Sequence, residues 1–414
     1  MKVAYHSPLP PERSGIADYS ALLLPELRRH VEVEVARGGR RRAPRGTDVA
    51  LYHVGNDPEA HGWILEALRR RPGVVVLHEY VLHHLVAGMT LARRDVAQYL
   101  AAMEREAGLP GRLLALGVVD GCIPPLWETR PEDFALAGIV LDAATGLIVH
   151  SRYVEERARE AGYEGPVWRI PHPAWPRPDV GAGAPVEGDP VIACLGHLNP
   201  SKRVPQLLEA FARVREARPQ ARLVLAGAVA PRLDLDARLR RLGLDGDPSV
   251  VREGYVDEAR LWQLLDACDV CVSLRSPTMG ETSGIALRAL SLGRPLVVSD
   301  VGWFAELPDE AALKVRPGER EVEELAAALD RLAASPEERA RMGEAARAHA
   351  EREHALPRVA ELYAAALEEA AGGRAVADAV LAEVAGAAAE VGIEPGSAEA
   401  AELGARVREA RIGD

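Results

Sequence analysis

Short apolar runs alternate with longer amphipathic stretches along most of the chain. KVAYH (2–6), VALYH (49–53), VVVL (74–77), GLIVHS (146–151) and VWRIPHP (167–173) read as buried strands. Between them lie stretches with helical spacing: Leu22, Leu23, Leu24 and Leu27; Ile64, Leu65 and Leu68; most of residues 85–140; and Tyr153 to Ala161, with Ser151 placed to cap it. Strands that alternate with helical patterns predict βαβ units and a parallel sheet.

The alternation stops once. PAWPRPDVGAGAPVEGDP (173–190) has little period and is rich in Pro, Gly and Ala, so it reads as a joint, with the linker itself at 176–190. A second series then begins: VIACL (191–195), RLVLAG (222–227), VV (250–251), VCV (270–272) and PLVV (295–298). Residues 317–350, with Val322, Leu325, Leu329 and Leu332, read as one amphipathic helix, and 356–371, with Val359, Leu362, Tyr363 and Leu367, as another. The prediction is an α/β chain: two Rossmann-like, doubly wound domains (1–175 and 191–355) facing a cleft, then a helix (356–372) and a helical extension (373–414). The extension is Ala- and Glu-rich, reads as two short helices broken at Gly392 to Gly396, and leaves docking, homo-oligomerisation and partial disorder open.

Loops at the C-terminal ends of parallel strands form the ligand edge of such sheets. In the first half these ends carry Gly15, then His53 and Asn56, then His78 and Glu79. No G-x-G-x-x-G follows the first strand, so the dinucleotide fingerprint is missing. In the second half they carry Gly196, His197 and Lys202, then Gly227, then Tyr255, then the loop Ser276 to Gly284. Gly280, Thr282, Ser283 and Gly284 let backbone N–H groups approach a ligand, and a helix from Ile285 to Leu292 points its positive end the same way. That combination suits phosphate. Glu281 would repel phosphate but can accept hydrogen bonds from sugar hydroxyls, so the loop fits a ligand carrying both.

Composition narrows the classes. A formal net charge of −12 excludes a general nucleic-acid binder. No apolar run reaches membrane-spanning length, and the N-terminus lacks a signal-peptide core, so a cytoplasmic protein is expected. Cys268 and Cys271 have redox or zinc spacing but no second pair, and read as core residues. Asp234-Leu235-Asp236 precedes a helix and reads as a cap, and the His residues at 53, 78, 83 and 84 lack a supporting carboxylate pattern; no metal and no cofactor is expected. Of 50 cationic side chains only Lys2, Lys202 and Lys314 are Lys, so a Lys kept in a loop is informative. A compact ammonium at Lys202 suits diphosphate oxygens.

The stretch from Asp266 to Pro308 resembles the donor-binding segment of retaining GT-B glycosyltransferases, family 4. Gly293-Arg294-Pro295, Val297-Val298-Ser299, Gly302 and Glu306 follow the family pattern, as do Lys202 in the earlier loop and Gly254-Tyr255-Val256. The loop departs from it: Arg288 stands where the family has a second Glu that holds the ribose hydroxyls, and the first Glu position falls on Gly280 or, one residue on, Glu281. His197 replaces the usual Arg and Arg203 the usual Gly. The resemblance covers residues 1–371 and implies sugar transfer from a nucleotide-sugar donor, with retention and without metal. The acceptor is left open among saccharides, lipid-linked compounds and small molecules. Lys202 would neutralise the leaving diphosphate, Glu281 would orient sugar hydroxyls, and His78 would face the reacting centre. Gly15, Gly196, His197, Gly227, Tyr255, Gly280, Thr282, Ser283, Gly284 and Arg288 would line the donor site; His53, Asn56 and Glu79 would stand on the acceptor side. Arg288 could bind phosphate or turn outward to a carboxylate such as Asp300. The last helix would cross back onto the first domain. Two alternatives stay open: another GT-B enzyme such as a sugar-nucleotide epimerase, using Glu79 and Glu281, and a non-catalytic binding protein whose partner surface is 373–414.

Overall fold

The computed structural model describes residues 1–12, 14–36, 46–181, 183, 186–394 and 396–409. Parts of the expected linker and the last residues of the extension lie outside these. The first sheet comprises β1 (Lys2–His6), β2 (Glu32–Val35), β3 (Val49–Val54), β4 (Gly73–Leu77), β5 (Ala144–Val149) and β6 (Val167–Arg169), all parallel, in the order β2-β1-β3-β4-β5-β6. The second comprises β7 (Val191–Leu195), β8 (Arg222–Ala226), β9 (Val250–Arg252), β10 (Val270–Ser273), β11 (Leu296–Ser299) and β12 (Ala312–Val315), also parallel, in the order β12-β11-β10-β7-β8-β9. The edge strands β2 and β12 escape the sequence pattern because each has four residues and is only partly buried. The inner strands β3, β4, β7, β10 and β11 are buried throughout, as helices on both sheet faces require.

The chain reverses direction across each sheet between two neighbouring strands: β1 and β3 in the first, β7 and β10 in the second. Loops leaving the C-terminal ends of such strands part and open a crevice. The two crevices face each other, and the loop after β10 touches the loop after β4: Tyr80 and Val81 donate backbone N–H groups to the Met279 carbonyl at 2.7 and 3.1 Å. Nearby, Thr278 N–H donates to Glu132 at 2.8 Å, and Glu306 accepts from the first amides of the helix Arg152–Glu160, Arg152 at 3.0 Å and Tyr153 at 2.8 Å. A carboxylate at a helix N-terminus is favoured by the helix dipole, so Glu306 pins the domains together by charge as well as by hydrogen bonding.

Two expected helices differ. The stretch 317–350 is two helices, Glu321–Ala334 and Pro336–Glu353, because Ser335 caps the second and Pro336 starts it. The helix from Leu356 runs unbroken to Glu390, through Gly372 and Gly373, before the expected break and the helix Ala398–Glu409. Two glycines cost about 1 kcal/mol each in a helix, and a long run of Ala, Glu, Leu and Val on either side outweighs that. Its first turns lie on the first domain, where Val359, Tyr363 and Leu367 are fully buried. Each contributes roughly 1.5–3 kcal/mol by burial, and the Tyr363 hydroxyl meets that of Tyr19 at 2.6 Å.

Candidate functional site: the crevice between the two sheets

On the second-domain side, β7 ends in Gly196, which has φ +85°. The following turn, Pro200–Lys202, is capped by Asn199 and returns Lys202 beneath the strand end. The Lys202 ammonium is buried and donates to the Leu195 carbonyl at 2.5 Å. No carboxylate pairs with it among the described residues. Burial, and then the charge of Arg275, push its pKa down to about 8. A buried ammonium beside a second cation lacks an anion, and an anionic ligand supplies one. Gly196 and Gly227 touch, since a Cβ on Gly227 would lie 2.1 Å from the Gly196 carbonyl oxygen; the β7 and β8 loops close together only without side chains. Arg203, where a Gly was expected, takes φ +54° and is held by an ion pair to the buried carboxylate of Glu321, turned away from Lys202.

The loop after β10 delivers the second cation and the helix mouth. Arg275 lies at the strand end, mostly buried, with Nε 2.5 Å from Glu281. Glu281 also accepts from the Thr278 hydroxyl at 3.1 Å and the Met279 amide at 2.7 Å. This corrects the expectation of a sugar-facing carboxylate: both Glu281 oxygens brace their own tight loop and position Arg275. Gly280, at φ +83°, lies against Tyr80 of the first domain. Ser283 caps the helix Gly284–Ser291 through the Ala286 amide. The hydroxyl of Thr282 is buried at the helix mouth with no hydrogen-bond partner in the structure.

Arg288 takes the second of its two expected roles, pairing with a carboxylate, but the partner is Glu258 rather than Asp300, and the side chain is buried rather than turned outward. Its guanidinium lies 3.9 Å over the ring of Trp175, with Nη1 3.3 Å from the Gly284 carbonyl and Nη2 3.3 Å from Glu258. The reason is the aromatic linker: a planar guanidinium gains more by stacking on indole than by entering a site already holding two cations. His197 and Tyr255 are exposed, Tyr255 at 74%.

The first-domain side is built from rings. His53 Nδ1 and His78 Nε2 are 2.9 Å apart, Tyr19 stands edge-on to His78 and to His172 at 4.7 and 4.6 Å, and His150 packs on both at 5.2 and 5.3 Å. Burial holds His53, His78 and His172 well below the usual imidazole pKa, and His150 at about 4, so the cluster is neutral. Among the described residues no three His, Cys, Asp or Glu side chains are placed to hold a metal ion. Glu79 stands at the end of β4. It accepts from the Asn56 amide at 2.7 Å, and burial followed by the Glu281 charge pushes its pKa up to about 7. The Asn56 side chain is turned away, accepting from the Leu85 amide at 3.1 Å. Gly15 begins the helix Gly15–Leu27 at the end of the β1 loop, with open space over it.

The crevice thus gathers His53, His78, Glu79, Gly196, Lys202, Gly227, Gly280, Glu281, Thr282, Ser283 and Gly284, and leaves His197 and Tyr255 at its rim. Sequence reasoning missed Arg275, Trp175, Glu258, His150 and His172. Arg275 follows VCVSL at a strand end and Trp175 interrupts a Pro-rich linker, which are signals; the partner of Arg288 was not legible.

Residues 180–349 match the family model described as Glycosyl transferases group 1. A GDP-mannose-dependent monoacylated alpha-(1-6)-phosphatidylinositol monomannoside mannosyltransferase of Corynebacterium glutamicum is 33% identical over 170 residues, 40% of this chain and 43% of that protein. An uncharacterized glycosyltransferase of Methanocaldococcus jannaschii is 34% identical over 122 residues, 29% of this chain and 30% of that one. The chain therefore aligns with less than half the length of these curated relatives. Among solved structures, HepE of Anabaena in complex with UDP superposes with a TM-score of 0.59 at 17% identity, over 89% of this chain and 100% of that one. Sucrose-phosphate synthase from Thermosynechococcus elongatus gives 0.61 at 18%, over 89% and 98%. These two establish a common fold. Residues 180–349 are thus similar to group 1 glycosyl transferases, and the chain as a whole has a GT-B fold of two Rossmann-like domains.

Proposed function

We propose that the protein transfers a sugar from a nucleotide-sugar donor to an acceptor in the crevice, with retention of anomeric configuration and without a metal ion. The observation that carries this reading is the buried, carboxylate-free ammonium of Lys202, set with Arg275 near the mouth of the helix Gly284–Ser291. As the bond between the anomeric carbon and the diphosphate breaks, negative charge grows on the departing phosphate oxygen. Lys202, Arg275 and the amides at Thr282 to Gly284 are already oriented to receive it, so little reorganisation is needed. The acceptor hydroxyl forms the new bond on the same face of the sugar and gives its proton to that oxygen, which preserves configuration. His78, neutral and at the opposite wall, can hydrogen-bond sugar hydroxyls without adding charge. The Met279 contacts with Tyr80 and Val81 hold the walls together and exclude water.

One relative is named for GDP-mannose and one neighbour was solved with UDP, so both nucleotides belong in the test. UDP, GDP, ADP and dTDP are titrated calorimetrically in the presence of a chelator, on wild type and Lys202→Ala. One diphosphate is expected to bind, with affinity lost in the variant. In turnover with the matching nucleotide-sugar, the variant is expected to fall by about 10²–10³ in kcat, and product NMR reads the anomeric configuration. A folded wild type that binds none of the four, or a Lys202→Ala protein that binds equally well, overturns the reading.

A further inference from the structure

Arg288 is an unusual residue to bury. Its side chain is only 9% exposed, its Nε has no hydrogen-bond partner, and burial draws its pKa down. Too little of it reaches the crevice to grip a ligand directly. What it does is hold something else. One edge of the guanidinium touches the Gly284 carbonyl, in the first turn of the helix at the anion site, and the other touches Glu258. Trp175 covers its face. Glu258 is thereby fixed one guanidinium's width from the helix mouth while remaining 64% exposed. Three residues upstream on the same loop is Tyr255, the exposed aromatic ring at the β9 end of the crevice. The carboxylate is thus linked through one guanidinium to the first turn of the helix at the anion site, and the exposed aromatic ring stands three residues before it in the chain.

An exposed carboxylate held by a buried cation is suited to neutral hydroxyl donors: the arginine orients it, and a cis-diol gives it two O–H donors at once. We propose that Glu258, positioned by Arg288, grips the two ribose hydroxyls of the donor nucleotide. This rests on the nucleotide-sugar reading above, and it assigns to the first residue of the helix Glu258–Ala267 a task that Arg288, a cation, cannot perform. Asp18, across the crevice within electrostatic reach of both Arg288 and Glu258, is the other carboxylate near this point.

The test is calorimetric titration of the full chain with UDP and GDP, their 2′,3′-dideoxy counterparts, and inorganic pyrophosphate. Wild type is expected to prefer the ribonucleotide by roughly tenfold or more, as lost hydrogen bonds to a charged group imply. Glu258→Gln, an exposed substitution in a first helical turn that leaves the fold intact, is expected to abolish that preference while pyrophosphate binds as before. Arg288→Met is expected to reduce the preference in the same way and Arg288→Lys to restore part of it, a pattern that mere loss of packing would not give. A preference that survives in Glu258→Gln, or a wild type that binds nucleotide without any preference, overturns this inference and leaves the transferase reading standing. A preference lost only in Asp18→Asn assigns the diol to the other wall and overturns it as well. Absence of binding by either nucleotide to folded wild type overturns both.

Discussion

The two walls of the crevice solve the same problem in opposite ways. The second-domain wall presents charge: Lys202 and Arg275, desolvated, beside a helix mouth. The first-domain wall removes it: four histidines and a tyrosine packed ring against ring and kept neutral by burial. A wall that must hold an anion tolerates an ammonium without a carboxylate at Lys202, because the ligand completes it. A wall that faces neutral hydroxyls needs polar atoms without charge, and a buried imidazole supplies them at neutral pH.

The largest test of this contrast is acid. His6, His61, His83 and His150 have pKa values of about 4, and His53, His78 and His172 lie well below 6.5; all seven stand before the joint. Each is depressed in the folded state, so the unfolded chain binds more protons between pH 6.5 and about 4, and stability falls as pH drops through that window. At pH 5 His6, His61, His83 and His150 each contribute a loss on the order of 1–2 kcal/mol, and together they rival the whole stability of a domain. Hydrogen exchange, corrected for intrinsic rates, is expected to show β1, β3, β4 and β5 losing protection between pH 6.5 and 4.5 while β7, β8, β10 and β11 keep theirs. Equal loss in both halves would mean that the histidines are not what distinguishes them.

The next test concerns the charged wall. Without ligand, the ammonium of Lys202 loses its proton near pH 8, and a bound phosphate raises that value. Nucleotide affinity should therefore be level from pH 7 to 8 and fall about tenfold per unit above that, since binding then takes up a proton. Lys202→Met should bind weakly with a flat profile from pH 7 to 10. A wild-type affinity that does not change between pH 7 and 10 removes Lys202 from the phosphate site.

Most of the fold was legible because the inner strands are continuous apolar runs and the helices between them keep strict spacing. The four-residue edge strands were not, since partial burial leaves no clear period. In the site, small residues and a lone lysine at strand ends pointed to Lys202 and to Thr282, Ser283 and Gly284, because backbone geometry demands those residue types. The pairings were not legible. Nothing local in the sequence says that Glu281 turns back on Arg275 or that Arg288 chooses Trp175 and Glu258, as these depend on which side chains the two domains and the linker bring together. Nor do the separated His53, His78, His150 and His172 announce a cluster, since only the sheet order makes neighbours of β3, β4, β5 and β6.

The smallest test lies where the walls meet. Glu79 belongs to the neutral wall but faces Glu281, with Arg275 beyond it and Asp57 on its own side. Its folded pKa of about 7 stands above the usual 4.5, so the folded protein holds an extra proton between those values, and stability falls as pH rises through that window. Gln resembles the protonated carboxyl and can still accept from the Asn56 amide. Glu79→Gln should match wild type below pH 4.5 and exceed it by about 2–3 kcal/mol at pH 8, read as the difference between their denaturation midpoints. An advantage that grows between pH 4.5 and 7 and then levels off would show that the first wall carries one charge at a cost to its own stability, at the point where an acceptor hydroxyl would approach. No difference at pH 8 would mean that the carboxylate is fully compensated by Arg275 and the Asn56 amide, and that the first wall presents no charge at all.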